Sequence, residues 1–237
     1  MQKLTQYIVF ISGIILLGAC SKSSDAFLEK GRTFMSQGNF KEALRYFNWA
    51  VEKNSKNQGA FNARGAAYFN LQDYDNALQD FNQAIKLDNK DYKAFLNRGN
   101  VKRETNDVKG ALTDYTQAIK LNGEITDAYL NRGVVNAQLQ QYDAALKDFN
   151  EVIKRTKKNK NAYFNRGNIL YNQKKYKEAM DDFRACIALD ARFAKALYAL
   201  GMAELLTDKK DDGCGHLQQA ANLNHPQADG KVAEYCK

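Results

Sequence analysis

Residues 163–186 read YFNRGNILYNQKKYKEAMDDFRAC, and the pattern of this stretch recurs along most of the chain. At its centre is one of six glycines that follow one another at intervals of 34 residues: Gly31, Gly65, Gly99, Gly133, Gly167 and Gly201. An aromatic residue or a leucine precedes each glycine by four positions, and an alanine or glycine follows it by twelve. A register that persists through six repeats without an insertion indicates a chain built from one repeated unit.

Each unit carries two apolar runs that are separated by a short polar turn. In the second unit the runs lie within residues 61–68 and 74–85, and residues 70–73 form the turn. Within each run the apolar residues recur at steps of three and four, which is typical of an amphipathic helix. One helix pair cannot bury such a stripe by itself, so we expect the pairs to stack and share a continuous core.

This pattern resembles the tetratricopeptide repeat, and the resemblance covers residues 24–226. It implies an all-α fold, an alpha-alpha superhelix or solenoid of six 34-residue helix-turn-helix repeats. Residues 227–237 keep helical spacing beyond the repeats and are predicted to form a C-terminal capping helix. The resemblance also implies a scaffold that recognises a protein or peptide partner, and it leaves that partner unnamed.

A second pattern pairs arginines with aspartates in units two to five. The arginine directly precedes the glycine and the aspartate follows it by fifteen residues: Arg64 with Asp80, Arg98 with Asp114, Arg132 with Asp148, and Arg166 with Asp182. The first unit has Lys30 and Tyr46 at these positions, and the last has Leu200 and His216. Because the two positions lie at similar height in an antiparallel helix pair, we predict structural ion pairs. A phosphate or nucleic-acid stripe is the alternative, which the matched aspartates disfavour.

The first residues are predicted to direct export rather than to join the fold. The apolar run at 7–17 is too short to span a bilayer by itself. It ends in the sequence LGAC at 17–20, which resembles the lipobox of bacterial lipoprotein signal peptides. The resemblance implies that residues 1–19 are removed and that Cys20 is acylated, with residues 20–25 as a flexible tether. An uncleaved anchor or an ordinary signal peptide is the alternative interpretation.

Export of this kind predicts a lipid-anchored protein of the bacterial cell envelope. Ser21 rather than an aspartate after the cysteine favours the outer membrane, and its periplasmic or surface face stays open. Loss of Lys3 with the signal peptide lowers the formal charge from +8 to +7. Lysine runs at 157–160 and 174–177 indicate either a solvated surface or attraction to acidic lipid, cell-wall polymer or acidic peptide. Nucleic acid is not an expected partner of such a lipoprotein.

The cysteines near the C-terminus predict a disulfide. An exported protein occupies a compartment that permits disulfides, and Cys214 and Cys236 can meet if their helices run antiparallel. A metal site formed by these cysteines with His216 and His225 is the alternative, but residues two apart lie on different faces of a helix. Cys186 occupies a small-residue position of the stripe and is predicted to be a buried, unreactive thiol.

Amide side chains mark the candidate binding surface on the first helices. The predicted peptide-binding groove consists of Asn97, Asn100, Arg103, Glu104, Asn131, Asn165, Asn168 and Tyr171. An amide can both donate to and accept from a peptide backbone, so successive asparagines can hold an extended peptide. The alternative is that these asparagines are merely solvated.

Catalysis is not predicted, and neither a cofactor nor a metal is expected. The sequence has no serine–histidine pairing, no carboxylate pair in an apolar setting and no glycine-rich phosphate loop. A structural subunit that bridges membrane and cell wall through its basic convex face is the rival function. A monomer is favoured.

Overall fold

The computed structural model describes residues 23–236, which form α-helices joined by short turns. Cys20 and the predicted signal peptide lie outside these residues. The chain divides into two compact units, one ending at Asn89 and the other beginning at Lys90. Between residues 23 and 236, no helix has both the length and the apolar character that crossing a membrane requires.

The unit that ends at Asn89 contains two helical hairpins. Its helices are α1 (Ser24–Ser36), α2 (Phe40–Lys53), α3 (Gln58–Asn70) and α4 (Tyr74–Leu87). Each hairpin packs closely within itself, and α3 also packs against both α1 and α2.

The unit that begins at Lys90 contains four further hairpins and one last helix. Its helices are α5 (Tyr92–Glu104), α6 (Val108–Leu121), α7 (Thr126–Gln138), α8 (Tyr142–Arg155), α9 (Lys160–Asn172), α10 (Tyr176–Leu189), α11 (Ala194–Leu205), α12 (Lys210–Asn222) and α13 (Ala228–Tyr235). The first helices of neighbouring hairpins pack on each other, as α7 does on α9, and α13 packs on α12. The predicted all-α solenoid of helix-turn-helix repeats is confirmed.

The turns inside the hairpins share one backbone conformation. A residue with positive φ recurs at each turn in the 34-residue register: Gly38, Gln72, Asn106, Gln140, Lys174 and Asp208. Its left-handed conformation ends the first helix in a Schellman motif, in which the next backbone N–H donates to the carbonyl oxygen five residues earlier, as Asn39 does to Phe34. In three turns the next residue, Asn39, Asp73 or Asp107, caps the second helix through its side chain, which accepts a hydrogen bond from a backbone N–H.

The repeated glycine permits close approach of the two helices of a hairpin. A β-carbon added at Gly133 would lie 2.7 Å from the ring of Phe149, and one added at Gly65 would lie 2.8 Å from the ring of Phe81. Both rings are buried, so neither can move aside without disturbing the core. The ring therefore occupies the volume that a larger residue would need.

The last hairpin achieves a still closer approach with two glycines. A β-carbon at Gly201 would lie 2.8 Å from the carbonyl oxygen of Gly213, and one at Gly213 would lie 2.9 Å from that of Gly201. Leu217 replaces the aromatic ring of the other hairpins and is fully buried. Here backbone packs directly on backbone.

A disulfide joins α12 to the end of α13. The sulfur atoms of Cys214 and Cys236 are bonded, and their Cα atoms are 5.6 Å apart. These cysteines are therefore engaged with each other rather than available as ligands for the alternative metal site. In the described part of the chain, no group of three or more His, Cys, Asp or Glu side chains could hold a metal ion.

Replacing both disulfide cysteines with serine should lower the free energy of unfolding by about 3 kcal/mol, because the bond closes a loop with a sequence separation of 22 residues. Urea titrations of the variant and of the wild type, with and without reductant, measure this loss. Reduced wild type is the matched control and should behave like the variant. Equal midpoints for oxidised wild type and variant would contradict the prediction.

Candidate functional site

The four predicted arginine–aspartate pairs are in contact, and each is bidentate. The guanidinium Nε and Nη2 atoms donate to both oxygens of the aspartate at 2.6–3.0 Å: Arg64 to Asp80, Arg98 to Asp114, Arg132 to Asp148, and Arg166 to Asp182. The aspartate side chains are 2–6% exposed, whereas the arginine side chains are 19–24% exposed. These arginines hold the two helices of a hairpin together, which is a structural role.

Burial and pairing act in opposite directions on these groups. Hydrogen bonding to Asp80 raises the pKa of Arg64, and hydrogen bonding to Asp182 raises that of Arg166. Burial raises the pKa of Asp80, and the hydrogen bonds from Arg64 oppose this shift. Pairing with Arg64 therefore favours the charged form of Asp80, whereas burial disfavours it.

A stripe along α9 borders two cavities in the second unit. Its residues recur at three- and four-residue steps: Asn161, Phe164, Asn165, Asn168, Tyr171 and Asn172. One cavity, of about 360 Å³, lies toward α7 and the other, of about 610 Å³, lies toward α11. Phe164 and Lys195 line both cavities, so we call the two together the α9 groove.

Two of the predicted groove asparagines bind each other. The Nδ2 group of Asn131 on α7 donates to Oδ1 of Asn100 on α5 at 3.0 Å, and the hydroxyl of Tyr115 donates to the same Oδ1 atom at 2.9 Å. The Nη1 group of Arg103 donates to Oδ1 of Asn131 at 3.0 Å, and its Nη2 group donates to Glu104 at 2.8 Å. These residues form a cross-helix network rather than an open row of amides. Asn97 is not free either, because it takes part in a hydrogen bond or another electrostatic or ring interaction.

Arg103 and Asn131 of this network line the smaller cavity of the α9 groove, and the remaining predicted residues line the groove as well. Asn165 borders the smaller cavity, while Asn168 and Tyr171 border the larger one. Neither Asn165 nor Asn168 forms a side-chain hydrogen bond within residues 23–236. The ring of Tyr171 meets that of Tyr176 edge-on at 5.4 Å, and burial raises the pKa of Tyr171. The groove therefore offers two amides beside aromatic surface.

Several groove residues were not predicted from the sequence. The larger cavity is also lined by Tyr198 and Met202 of α11 and by His225, which follows α12. His225 stacks on Tyr198 at 4.3 Å, and burial is the main reason that its pKa is lowered. Tyr198 lies 34 residues after Phe164, so the repeat register could have identified it. No periodic signal identifies His225.

The last hairpin holds a cluster around a buried carboxylate that the repeat pattern does not predict. Glu204 is 1% exposed, and its Oε2 atom lies 2.6 Å from Nδ1 of His216. Its Oε1 atom accepts a hydrogen bond at 3.0 Å from the guanidinium of Arg184 on α10. Glu204 takes the position, three residues after the glycine, at which Lys102 and Asn136 contact aspartates. In the last hairpin the buried carboxylate therefore lies on the first helix, whereas in the hairpins with an arginine–aspartate pair it lies on the second helix.

Cys186 lies in the core of the second unit. Its side chain is buried, and burial raises the pKa of its thiol to about 12. The thiol donates to the carbonyl oxygen of Lys160 at 3.2 Å. These features belong to a packing residue.

The architecture defines a helical-repeat protein with a groove along α9. Models of the tetratricopeptide repeat match residues 28–92, 96–159 and 161–193. The chain therefore belongs to the tetratricopeptide repeat family. No curated protein matches it.

Solved structures of the same fold resemble this chain over most of its length. YrrB, a tetratricopeptide repeat protein with an unusual peptide-binding site, is 22% identical with a TM-score of 0.69 over 78% of this chain and 96% of its own. Pseudomonas aeruginosa PilF is 17% identical with a TM-score of 0.80 over 89% of this chain and 97% of its own. A tetratricopeptide repeat protein of Parabacteroides merdae is 18% identical with a TM-score of 0.61 over 90% and 84%. At these identities the likeness establishes the fold alone.

Proposed function

We propose that this protein is a lipid-anchored scaffold of the bacterial cell envelope that binds an extended segment of a partner protein in the α9 groove. The observation that carries the proposal is the pair of cavities that continue past Phe164 and Lys195 along one helix. A continuous groove suits a chain that lies across several repeats. A protein-binding role is common to the family to which the chain belongs. YrrB, which shares the fold, has a peptide-binding site.

The chemistry of the groove suits backbone recognition combined with one apolar anchor. Asn165 and Asn168 are one helical turn apart, and each amide can donate to and accept from a peptide unit. Tyr198 and Met202 line the 610 Å³ cavity, which can accept a bulky apolar side chain of the segment. Lys195 adds a positive charge where the cavities meet, which favours an acidic residue at that point.

The anchor rests on the lipobox sequence at 17–20. Two or three acyl chains on Cys20 would hold the protein on a membrane, at about 0.8 kcal/mol for each buried methylene. We propose that the anchor lies in the outer membrane. We also propose that the protein belongs to an envelope assembly, secretion or uptake complex. None of the groove residues requires a cofactor for this role, and we propose no catalytic function.

Photocrosslinking in the native cell tests the groove. A photoreactive phenylalanine analogue in place of Asn172, which lines the larger cavity, should yield an adduct with the partner. The same analogue in place of Glu178, which is exposed on α10, is the matched control and should yield none. Replacing Asn165 and Asn168 together with alanine should weaken capture at least about tenfold, because each lost hydrogen bond contributes about 1 kcal/mol. Unchanged capture by this folded variant would exclude the groove and implicate the outer surfaces.

A further inference from the structure

An exposed aromatic cluster covers one face of the first hairpin. The rings of Phe27 and Trp49 are 5.5 Å apart, and Tyr46 meets Trp49 edge-on at 5.1 Å. Phe34 stacks on Tyr46 at 5.2 Å. Trp49 is 37% exposed, and the other three rings are partly exposed. We call these four residues the Trp49 face.

The repeat register explains why this face is bare. In the second hairpin, Arg64 pairs with Asp80 and also donates to Asn48 of the preceding helix α2. This side of a hairpin therefore packs against the hairpin before it. Lys30 and Tyr46 occupy the corresponding positions in the first hairpin, and within residues 23–236 no helix precedes α1. An aromatic surface thus replaces the ion pair in the first hairpin that the structure describes.

The start of the chain places the Trp49 face near the proposed lipid. The hydroxyl of Ser24 donates to the carbonyl oxygen of Ala50 at 2.8 Å, so α1 begins beside the residue that follows Trp49. Cys20 lies four residues before Ser24, and four residues of fully extended chain reach at most about 14 Å. An acylated Cys20 therefore keeps this end of the hairpin close to the bilayer surface.

We propose that the Trp49 face rests on the lipid interface of the membrane in which Cys20 is anchored, an inference that depends on the proposed lipid anchor. Trp and Tyr are enriched at membrane interfaces, where their rings meet acyl chains and their polar groups meet headgroups. The cations at this face suit the same setting. Lys30 lies over the ring of Tyr46 at 4.9 Å and Arg45 over that of Trp49 at 5.6 Å, and both stems can extend toward headgroups.

The charges beside this face favour a lipid surface of low net charge over a strongly acidic partner. Arg45, which lies over Trp49, pairs with Glu42 at 2.9 Å. One of the two cations at this face is therefore balanced locally, and the aromatic rings supply most of the attraction. The first hairpin then contacts the membrane directly and sets the orientation of its unit relative to the bilayer.

The single tryptophan of the chain makes this inference directly measurable. The full-length protein, processed in a bacterial host and purified in detergent, is reconstituted into phosphatidylcholine vesicles with or without lipids brominated in their acyl chains. We expect brominated lipid to lower Trp49 emission at least about twofold, because an indole at the interface lies within reach of those acyl carbons.

A second variant with one tryptophan is the matched control. Trp49→Phe combined with Tyr74→Trp moves the indole to the start of α4, at the turn end of its hairpin. That end is one helix length of about 20 Å from the end at which α1 begins, so brominated lipid should leave its emission nearly unchanged. Equal quenching of both proteins would overturn the inference.

Vesicle flotation tests the lipid anchor independently of membrane contact by the Trp49 face. Protein that floats with the vesicles while its Trp49 emission is unquenched would overturn the Trp49 face and leave the anchor standing. Protein that does not float would overturn both. Quenching that disappears when the protein is diluted in the bilayer would assign the face to a second copy of this chain and also overturn the inference.

Discussion

Replacing Arg166 with methionine should lower the free energy of unfolding by about 3–5 kcal/mol, because Asp182 would remain as a buried charge without its partner. The side chain of Asp182 is 5% exposed, and both of its oxygens accept hydrogen bonds from Arg166 at 2.6 and 2.9 Å. Methionine keeps most of the volume of the arginine stem, so the loss reports the charge rather than a cavity. Urea titration followed by circular dichroism measures it.

Arg98→Met provides the matched control for this prediction. Asp114, the partner of Arg98, also lies 2.8 Å from the ammonium group of Lys102, so one cation remains after the substitution. The loss should therefore be clearly smaller than for Arg166→Met. The double variant Arg166→Met with Asp182→Leu should recover most of the stability, since it leaves no unpaired charge. Equal losses for the two single variants would refute this account.

The hairpins and their ion pairs were predictable because each depends on a short, repeated distance along the chain. Sixteen residues separate Arg166 from Asp182, which is one helix, one turn and part of the returning helix. That distance brings the two positions to the same height in every hairpin, whatever the neighbouring hairpins do. A local feature that recurs in six hairpins, or in four for the ion pairs, carries a signal that sequence can reveal.

The hydrogen-bond partners of the groove asparagines were not predictable in the same way. The sequence placed Asn100 and Asn131 on one row, but whether they face a ligand or each other depends on side-chain rotamers across two helices. An amide complements another amide as well as it complements a peptide, so both arrangements satisfy its hydrogen bonds. The structure pairs these two residues and leaves Asn165 and Asn168 facing the cavities.

The last hairpin shows how the same physical requirement can be met with reversed charges. The sequence indicated that Leu200 and His216 ended the row of ion pairs. The structure instead supplies a carboxylate from α11 through Glu204, whose partners are the guanidinium of Arg184 on α10 and the imidazole of His216 on α12. The 34-residue register cannot reveal this exchange, because it compares a position only with its own equivalents. Charge complementarity between non-equivalent positions of the repeat becomes visible only in the three-dimensional structure.

Replacing Arg184 with methionine and His216 with phenylalanine together should cost about 3–5 kcal/mol, because Glu204 would then be buried with neither partner. Arg184→Met alone should cost less, since the imidazole of His216 stays 2.6 Å from the carboxylate. Hydrogen exchange of backbone amides in α11 and α12, read by mass spectrometry of peptic peptides, locates the loss in this hairpin.

Arg45→Met is the surface control for this double variant. Its pair with Glu42 joins side chains that are 62% and 29% exposed, so its loss should stay below about 1 kcal/mol. Adding Glu204→Leu to the double variant should restore protection in α11, because the buried charge is removed along with its partners. If the triple variant exchanges as fast as the double variant, packing rather than charge holds this hairpin together.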